Sequence, residues 1–145
     1  MNILFDKNKC TACGACSIAC MDQNDIDIRN GQKPYRRVFL TESNGRREYF
    51  SVSCRHCSDP ACVNACPLNC ISKDAETGFV IYDNSACAGC GKCEKACPFD
   101  AISMRPLSAG SRKMEKCDGC RVRILSGLLP ACVKNCPMGA LILEK

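Results

Sequence analysis

CAGCGKCEKACP, residues 87–98, spaces four cysteines as Cys-x2-Cys-x2-Cys-x3-Cys and follows the last one directly with proline. Cys87, Cys90 and Cys93 are close enough in sequence for one backbone loop to wrap a compact metal core on three sides. Gly89 and Gly91 lie inside that loop, where glycine permits positive φ and lets backbone N–H groups approach the sulfurs. Cys97 comes four residues after Cys93, about one helical turn and roughly 6 Å along the axis. It therefore points away from the first core toward a second. Pro98 stops the turn, because it has no N–H and holds the preceding residue extended.

Three further groups share the outline. CTACGACSIAC contributes Cys10, Cys13, Cys16 and Cys20; CRHCSDPACVNACP contributes Cys54, Cys57, Cys62 and Cys66. CDGCRVRILSGLLPACVKNCP contributes Cys117, Cys120, Cys132 and Cys136. Every group opens with Cys-x2-Cys and closes with Cys-x3-Cys, and only the middle gap varies. Gly14 and Gly119 serve the same kind of loop, whereas Met21 stands where the other groups have proline, so the first group leaves its turn less sharply. The run resembles that of bacterial ferredoxins, in which the fourth cysteine ligates the neighbouring 4Fe-4S cluster. The fourth group, with eleven residues between Cys120 and Cys132, taken alone also fits a zinc site.

Composition agrees with metal. The chain has 145 residues, 17 cysteines, no Trp, three Tyr and five Phe, so its apolar fraction of 46% is inflated by cysteine. A chain of this size with so few large side chains needs help beyond its hydrophobic core. Disulfide frameworks belong to secreted chains, and MNILFDKNKC shows no apolar leader and no twin arginine. Cytoplasm is the expected location, with export alongside a leader-bearing partner as the alternative. No apolar run is long enough for a membrane span. The formal charge of +5 counts thiols as neutral; sixteen thiolates around four cubane cores would bring it to roughly −3, which removes the main argument for nucleic-acid binding. Arg36-Arg37 and Arg46-Arg47 are read as a solvated hairpin face.

Between the groups, YRRVFLTE and RREYFSVS flank Ser43-Asn44-Gly45, a strong hairpin pattern. ISKD and FVIYD flank Ala75-Glu76-Thr77-Gly78 as a second hairpin, and PLSAGS (106–111) reads as a polar link. Helices are expected only where Cys-x3-Cys demands one turn.

CPLNCI (66–71), CPFDAI (97–102) and CPMGAL (136–141) repeat one hexapeptide and put Cys70 in register with Ala101 and Ala140. Cys70 is thus not a ligand but a small buried hydrophobe. His56, the only histidine, cannot build a Rieske centre, which needs two; it is either a donor to a cluster sulfur or a loop residue.

The order of the four groups, KCDGC followed by Arg123 and Gly127, PACVKNCPMGAL, and CRHC with DPACVNACP resemble the four-cluster iron-sulfur subunits of molybdopterin and tungstopterin oxidoreductases, the dimethyl sulfoxide reductase electron-transfer type. The resemblance covers residues 10–141; the chain is shorter than most members, and Cys70 replaces a small residue. It implies a nested pairing: Cys10, Cys13, Cys16 with Cys136; Cys117, Cys120, Cys132 with Cys20; Cys54, Cys57, Cys62 with Cys97; and Cys87, Cys90, Cys93 with Cys66. Spacing alone supports this only weakly, since groups two and three lie twenty residues apart and groups three and four nineteen. Related nitrate-reducing subunits lose one iron where tryptophan replaces a ligand of the third group. Cys90 is present here, and the expectation is four 4Fe-4S clusters.

The expected fold is α+β: two ferredoxin-like dicluster units with pseudo-twofold symmetry, built of short strands, hairpins and one-turn helices. Residues 1–49 with 106–145 would form the outer unit and 50–105 the inner. With every site filled by cysteine and one histidine in the chain, no acid-base or nucleophilic centre can be assembled. The expected function is single-electron relay, without catalysis, between a larger molybdenum- or tungsten-pterin subunit and an external donor or acceptor. Tungsten aldehyde oxidoreductases are one candidate partner class; a further redox subunit, or copies of the chain itself, are others. A free-standing polyferredoxin is the alternative, and a zinc-bound structural module the third reading.

Overall fold

The computed structural model describes residues 1–145. In chain order the elements are β1 (Asn2–Phe5), α1 (Ala15–Gln23), β2 (Arg37–Ser43), β3 (Arg46–Val52), α2 (Ala61–Ala65), β4 (Ile71–Lys73), β5 (Val80–Tyr82), α3 (Lys92–Ala96), β6 (Ile102–Pro106), β7 (Arg112–Lys116), α4 (Arg121–Leu125), α5 (Ala131–Lys134) and β8 (Leu141–Glu144). The strands pair as four separate antiparallel two-stranded sheets: β1 with β8, β2 with β3, β4 with β5 and β6 with β7. This is the α+β, ferredoxin-like dicluster arrangement. No helix is long and apolar enough to cross a membrane.

The two anticipated hairpins form. Asn44 and Gly45 both take positive φ, 52° and 73°, as a two-residue turn of right-handed twist requires, and they set Phe39 opposite Phe50 with their rings stacked at 5.2 Å. Thr77 caps the second turn through Asp74, donating both its N–H and its hydroxyl. PLSAGS is not a link. It is the turn of a third hairpin, with Ala109 and Gly110 in the left-handed region and Leu107 N–H donating to Ser111 O at 2.8 Å. The strands it joins, ISMRP and RKMEK, carry charge where alternation would show an apolar face, and Glu115 and Lys116 are nonetheless buried.

Two further departures concern helices. α1 runs nine residues, past Cys20 to Gln23, because Met21 retains the N–H that proline would remove. α4 occupies the eleven-residue gap of the fourth group, where no helix was expected.

Two-stranded sheets are marginal in water by themselves, and only 25 of 145 residues are buried. The apolar clusters that exist are centred on cysteines: Cys70 and Cys93 with Ile71, Val80, Ile102 and Met114; Cys16 and Cys132 with Leu141; Cys20 and Cys117 with Tyr35. α1 packs against α5 and α2 against α3, so each contact joins two Cys-x3-Cys turns. The scaffold's interior is lined with sulfur.

Candidate iron-sulfur sites

The four Cys-x2-Cys loops share one conformation. In each, the residue after next donates its backbone N–H to the first cysteine's sulfur at 3.4 Å: Ala12 to Cys10, His56 to Cys54, Gly89 to Cys87 and Gly119 to Cys117. That donor has positive φ every time, 55°, 48°, 72° and 74° respectively. Glycine supplies the angle in two loops, while alanine and histidine accept it in the others. The N–H groups thereby turn inward, which favours thiolate over thiol.

The Cys-Pro turns repeat a second device. Cys70 N–H donates to Cys66 Sγ at 3.3 Å, Ala101 N–H to Cys97 Sγ at 3.5 Å and Ala140 N–H to Cys136 Sγ at 3.2 Å. The residue just before each donor, Asn69, Asp100 or Gly139, has positive φ and aims it. Position 70 therefore contributes its backbone, as the alanines do. Its thiol is buried in the inner core. In the first group the continuing helix uses up that N–H, which goes to Cys20 O, and the Asn24 side-chain amide donates to Cys20 O at 2.8 Å while also lying 3.7 Å from Cys20 Sγ.

Three cavities lie behind these loops. The first, partly open, is walled by Cys10, Cys13, Cys16 and Cys136. The second is walled by Cys20, Cys117, Cys120 and Cys132. The third is walled by Cys54, Cys57, Cys62 and Cys97. None is lined by a cysteine of another set. The remaining residues gather in the inner core, where Cys93 is buried and Cys66 and Cys87 pack against it; Cys90 lies exposed in the same loop. No three or more His, Cys, Asp or Glu side chains converge at the spacing of a single metal ion.

The cysteines divide electrostatically. As free thiols, Cys20 is pushed up to about 12 by burial and then by Cys132 and Cys120, and Cys93 to about 11, again chiefly by burial. Burial also drives Cys117 far up. Burial alone would raise Cys66 and Cys136 too, but the N–H groups of their Cys-Pro turns outweigh it and hold both below the ordinary thiol value. An inorganic core that binds thiolate fits this donor set, because its positive charge supplies what the buried sites lack.

Three residues that spacing cannot rank sit among the sulfurs. His56 Nδ1 accepts from Val80 N–H at 3.0 Å, so the ring proton is on Nε2, 3.7 Å from Cys117 Sγ in another group. Burial, then Lys116, pushes the ring down to about 3, which keeps it neutral. Lys116, 1% exposed, directs Nζ to the carbonyls of Val80 and Cys117 and lines the third cavity. Arg36, 3% exposed, donates to Ser51 O, Ser51 Oγ and Ser53 Oγ and lines the second. Arg36 is thus not on the solvated face expected of it, whereas its neighbour Arg37 pairs with Asp100 at the surface and Arg46 and Arg47 are exposed. Arg36 lies in the bend just before β2 and Arg37 opens the strand, and nothing in a dipeptide says which side of such a corner is filled.

A scaffold of two-stranded sheets around repeated Cys-x2-Cys loops, with N–H groups turned onto sulfur, defines the class of ferredoxin-like iron-sulfur proteins. Residues 46–145 match the family model described as a 4Fe-4S dicluster domain, and the chain belongs to that family of iron-sulfur electron-transfer subunits. It is 39% identical over 147 residues to the B subunit of anaerobic dimethyl sulfoxide reductase from Haemophilus influenzae, covering 94% of this chain and 70% of that protein. The corresponding B subunit of Escherichia coli is 37% identical, with 94% and 69% covered. The formate dehydrogenase-O iron-sulfur subunit of E. coli is 34% identical over 95% of this chain and 51% of its own length. The chain is accordingly an electron-transfer subunit and not itself an enzyme.

Proposed function

We propose that this chain holds four 4Fe-4S clusters through sixteen cysteines and relays single electrons between a larger molybdenum- or tungsten-pterin catalytic subunit and an external donor or acceptor. The ligand sets are Cys10, Cys13, Cys16 and Cys136; Cys20, Cys117, Cys120 and Cys132; Cys54, Cys57, Cys62 and Cys97; and Cys66, Cys87, Cys90 and Cys93. The carrying observation is that each of three cavities is walled by one of these quartets and by no other cysteine. Each cluster, when bound, accepts and gives up one electron.

The residues of the chain do the rest. The paired N–H devices stabilise the ligated sulfurs without adding bulk. The Cys-x3-Cys turns hand the fourth ligand of one run to a neighbouring site, which sets successive sites side by side. On this reading, residues 1–49 with 106–145 carry the two outer sites and residues 50–105 the two inner ones. The pairing of β1 with β8 and the packing of α1 on α5 support the first grouping. The names of the relatives, a subunit of a reductase and the iron-sulfur subunit of a dehydrogenase, support a catalytic partner.

The test is anaerobic purification from native cells without a tag, with iron, sulfide, zinc, molybdenum and tungsten measured in whatever co-elutes. About sixteen irons per chain, with molybdenum or tungsten in a larger partner, is expected. The same iron in a chain that elutes alone would favour a mobile polyferredoxin, and near twelve irons with one zinc would refute the assignment of the fourth group.

A further inference from the structure

The relay has two ends, and ligand exposure marks them. α1 packs on α5 and α2 on α3, which joins the first quartet to the second and the third to the fourth. Cys54 packs beside Cys20 and Cys117, and His56 of its loop reaches Cys117, which joins the second to the third. The quartets of Cys13 and Cys90 are therefore terminal. Cys13 and Cys90 are also the exposed cysteines; all others are buried or half-buried.

The two ends differ in character. The Cys13 opening is walled by Phe5, Val38, Pro137 and Met138. Of the cations on that side, Lys7, Lys9 and Arg47 are paired with Glu48, Asp6 and Glu42, leaving Arg46. Around Cys90 the cations are open. Arg112 Nε donates to Gly89 O at 3.0 Å, and Nη2 would lie 3.0 Å from a Cβ at Gly91, so the guanidinium lies across both glycines that flank Cys90. Lys113 Nζ donates to Asn84 O at 2.8 Å and Ser85 O at 2.5 Å. Lys92 and Lys95 are exposed one turn apart on α3, which begins just after that loop. None of these four forms an ion pair. The carboxylates that face them are Asp83, which accepts from Ser85 N–H near Lys113, and Glu94 between the two lysines; Glu115 is taken by Arg105.

We propose that the basic face around Cys90 is the docking surface for a small, soluble, acidic electron carrier, which binds transiently and exchanges electrons with the relay there. This rests on the ligand sets proposed above. A quartet of thiolates around its core is itself anionic, so an anionic partner comes close only where cations stand outside it. Arg112, Lys113, Lys92 and Lys95 against Asp83 and Glu94 meet that condition at Cys90. Transient redox encounters are small and steered by charge, whereas permanent subunit contacts are larger and more apolar, which is the character of the Cys13 opening. The step moves one electron from whichever partner is reduced to the other, with no bond made or broken and no proton moved.

The probe is flavodoxin, an acidic flavin protein. The loaded chain, reduced with dithionite and then desalted, is mixed with oxidised flavodoxin in an anaerobic stopped flow, and the flavin semiquinone is followed. The rate constant should fall roughly tenfold or more between about 0.01 M and about 1 M ionic strength, over which the screening length shrinks from roughly 30 Å to roughly 3 Å. At low salt Lys92→Glu/Lys95→Glu should lower it by roughly tenfold, whereas Arg46→Glu/Arg47→Glu, an equal change of net charge, should leave it within about twofold. No transfer, a rate indifferent to salt, or an equal fall in both variants overturns the inference. If the lysine variant fails to assemble, carbodiimide coupling of the wild-type chain to flavodoxin decides. Links at Lys92, Lys95 or Lys113 are expected. Links at Lys7 or Lys9 instead, or none, overturn the inference, as do links between two copies of the chain through the Cys90 face, which would give that face to a second copy. About sixteen irons with any of these failures refutes this inference only; a lower iron content overturns the ligand sets and the inference together.

Discussion

Gly119→Ala should be among the most damaging single methyl groups that can be added to a cluster loop. A Cβ there would lie within 2.7 Å of three carbons of the Phe79 ring, against an optimum near 3.5–4.0 Å. Phe79 is fully buried and itself packs on the His56 ring at 4.6 Å, so it cannot retreat without pushing the donor of Cys117. The backbone angle of 74° adds about 1–2 kcal/mol for a non-glycine residue, and overpacking adds about 1–3 kcal/mol. Gly14→Ala is the control: its φ is 80°, yet nothing lies within 4 Å of the added Cβ, so only the backbone cost applies. The assay is anaerobic bleaching of the visible absorbance in urea. The Gly119→Ala midpoint should fall on the order of 1 M below that of Gly14→Ala, and Phe79→Leu in the same chain should recover part of the loss. Equal midpoints for the two alanine variants would refute the argument, because Ala12 and His56 already occupy the matching loop position at positive φ. Glycine at 119 would then not be there to make room for Phe79.

Cys70→Ala should keep about sixteen irons and lose only about 1 kcal/mol of packing, since the backbone N–H to Cys66 Sγ survives; iron analysis and a thermal scan check it. Asn24→Leu removes the side-chain donor that stands in for a Cys-Pro turn, so the potential of the cluster bound by Cys20 should drop while the others stay, as read by a spectroscopic redox titration. Removing iron with a chelator under reducing conditions should abolish cooperative melting by circular dichroism, because isolated two-stranded sheets are marginal by themselves and buried Lys116 and Arg36 would lose the thiolate charge that offsets theirs. A sharp transition in the stripped chain would contradict this.

The sequence by itself determined the repeating parts: the four cysteine runs, the proline stops, the Asn-Gly hairpin and the burial of Cys70. These are legible because each is a local rule about φ, a missing N–H or a helical turn, satisfied within one short stretch of chain. It also marked the exit at Met21 as less sharply turned, though not the extra helical residues up to Gln23. What only the tertiary structure decided is how the runs meet and what stands between them. PLSAGS carries the breaker residues of both a link and a hairpin, and only the partner strand distinguishes the two. Arg36 read as surface charge, and nothing local marks Lys116 as buried, because burial of a cation depends on what lies across the cavity. His56 became a donor to Cys117, sixty-one positions away, only when the fold set β5 beside it and fixed its tautomer through Val80. Local geometry is encoded residue by residue, whereas the field at a sulfur is the sum over groups that sequence keeps far apart.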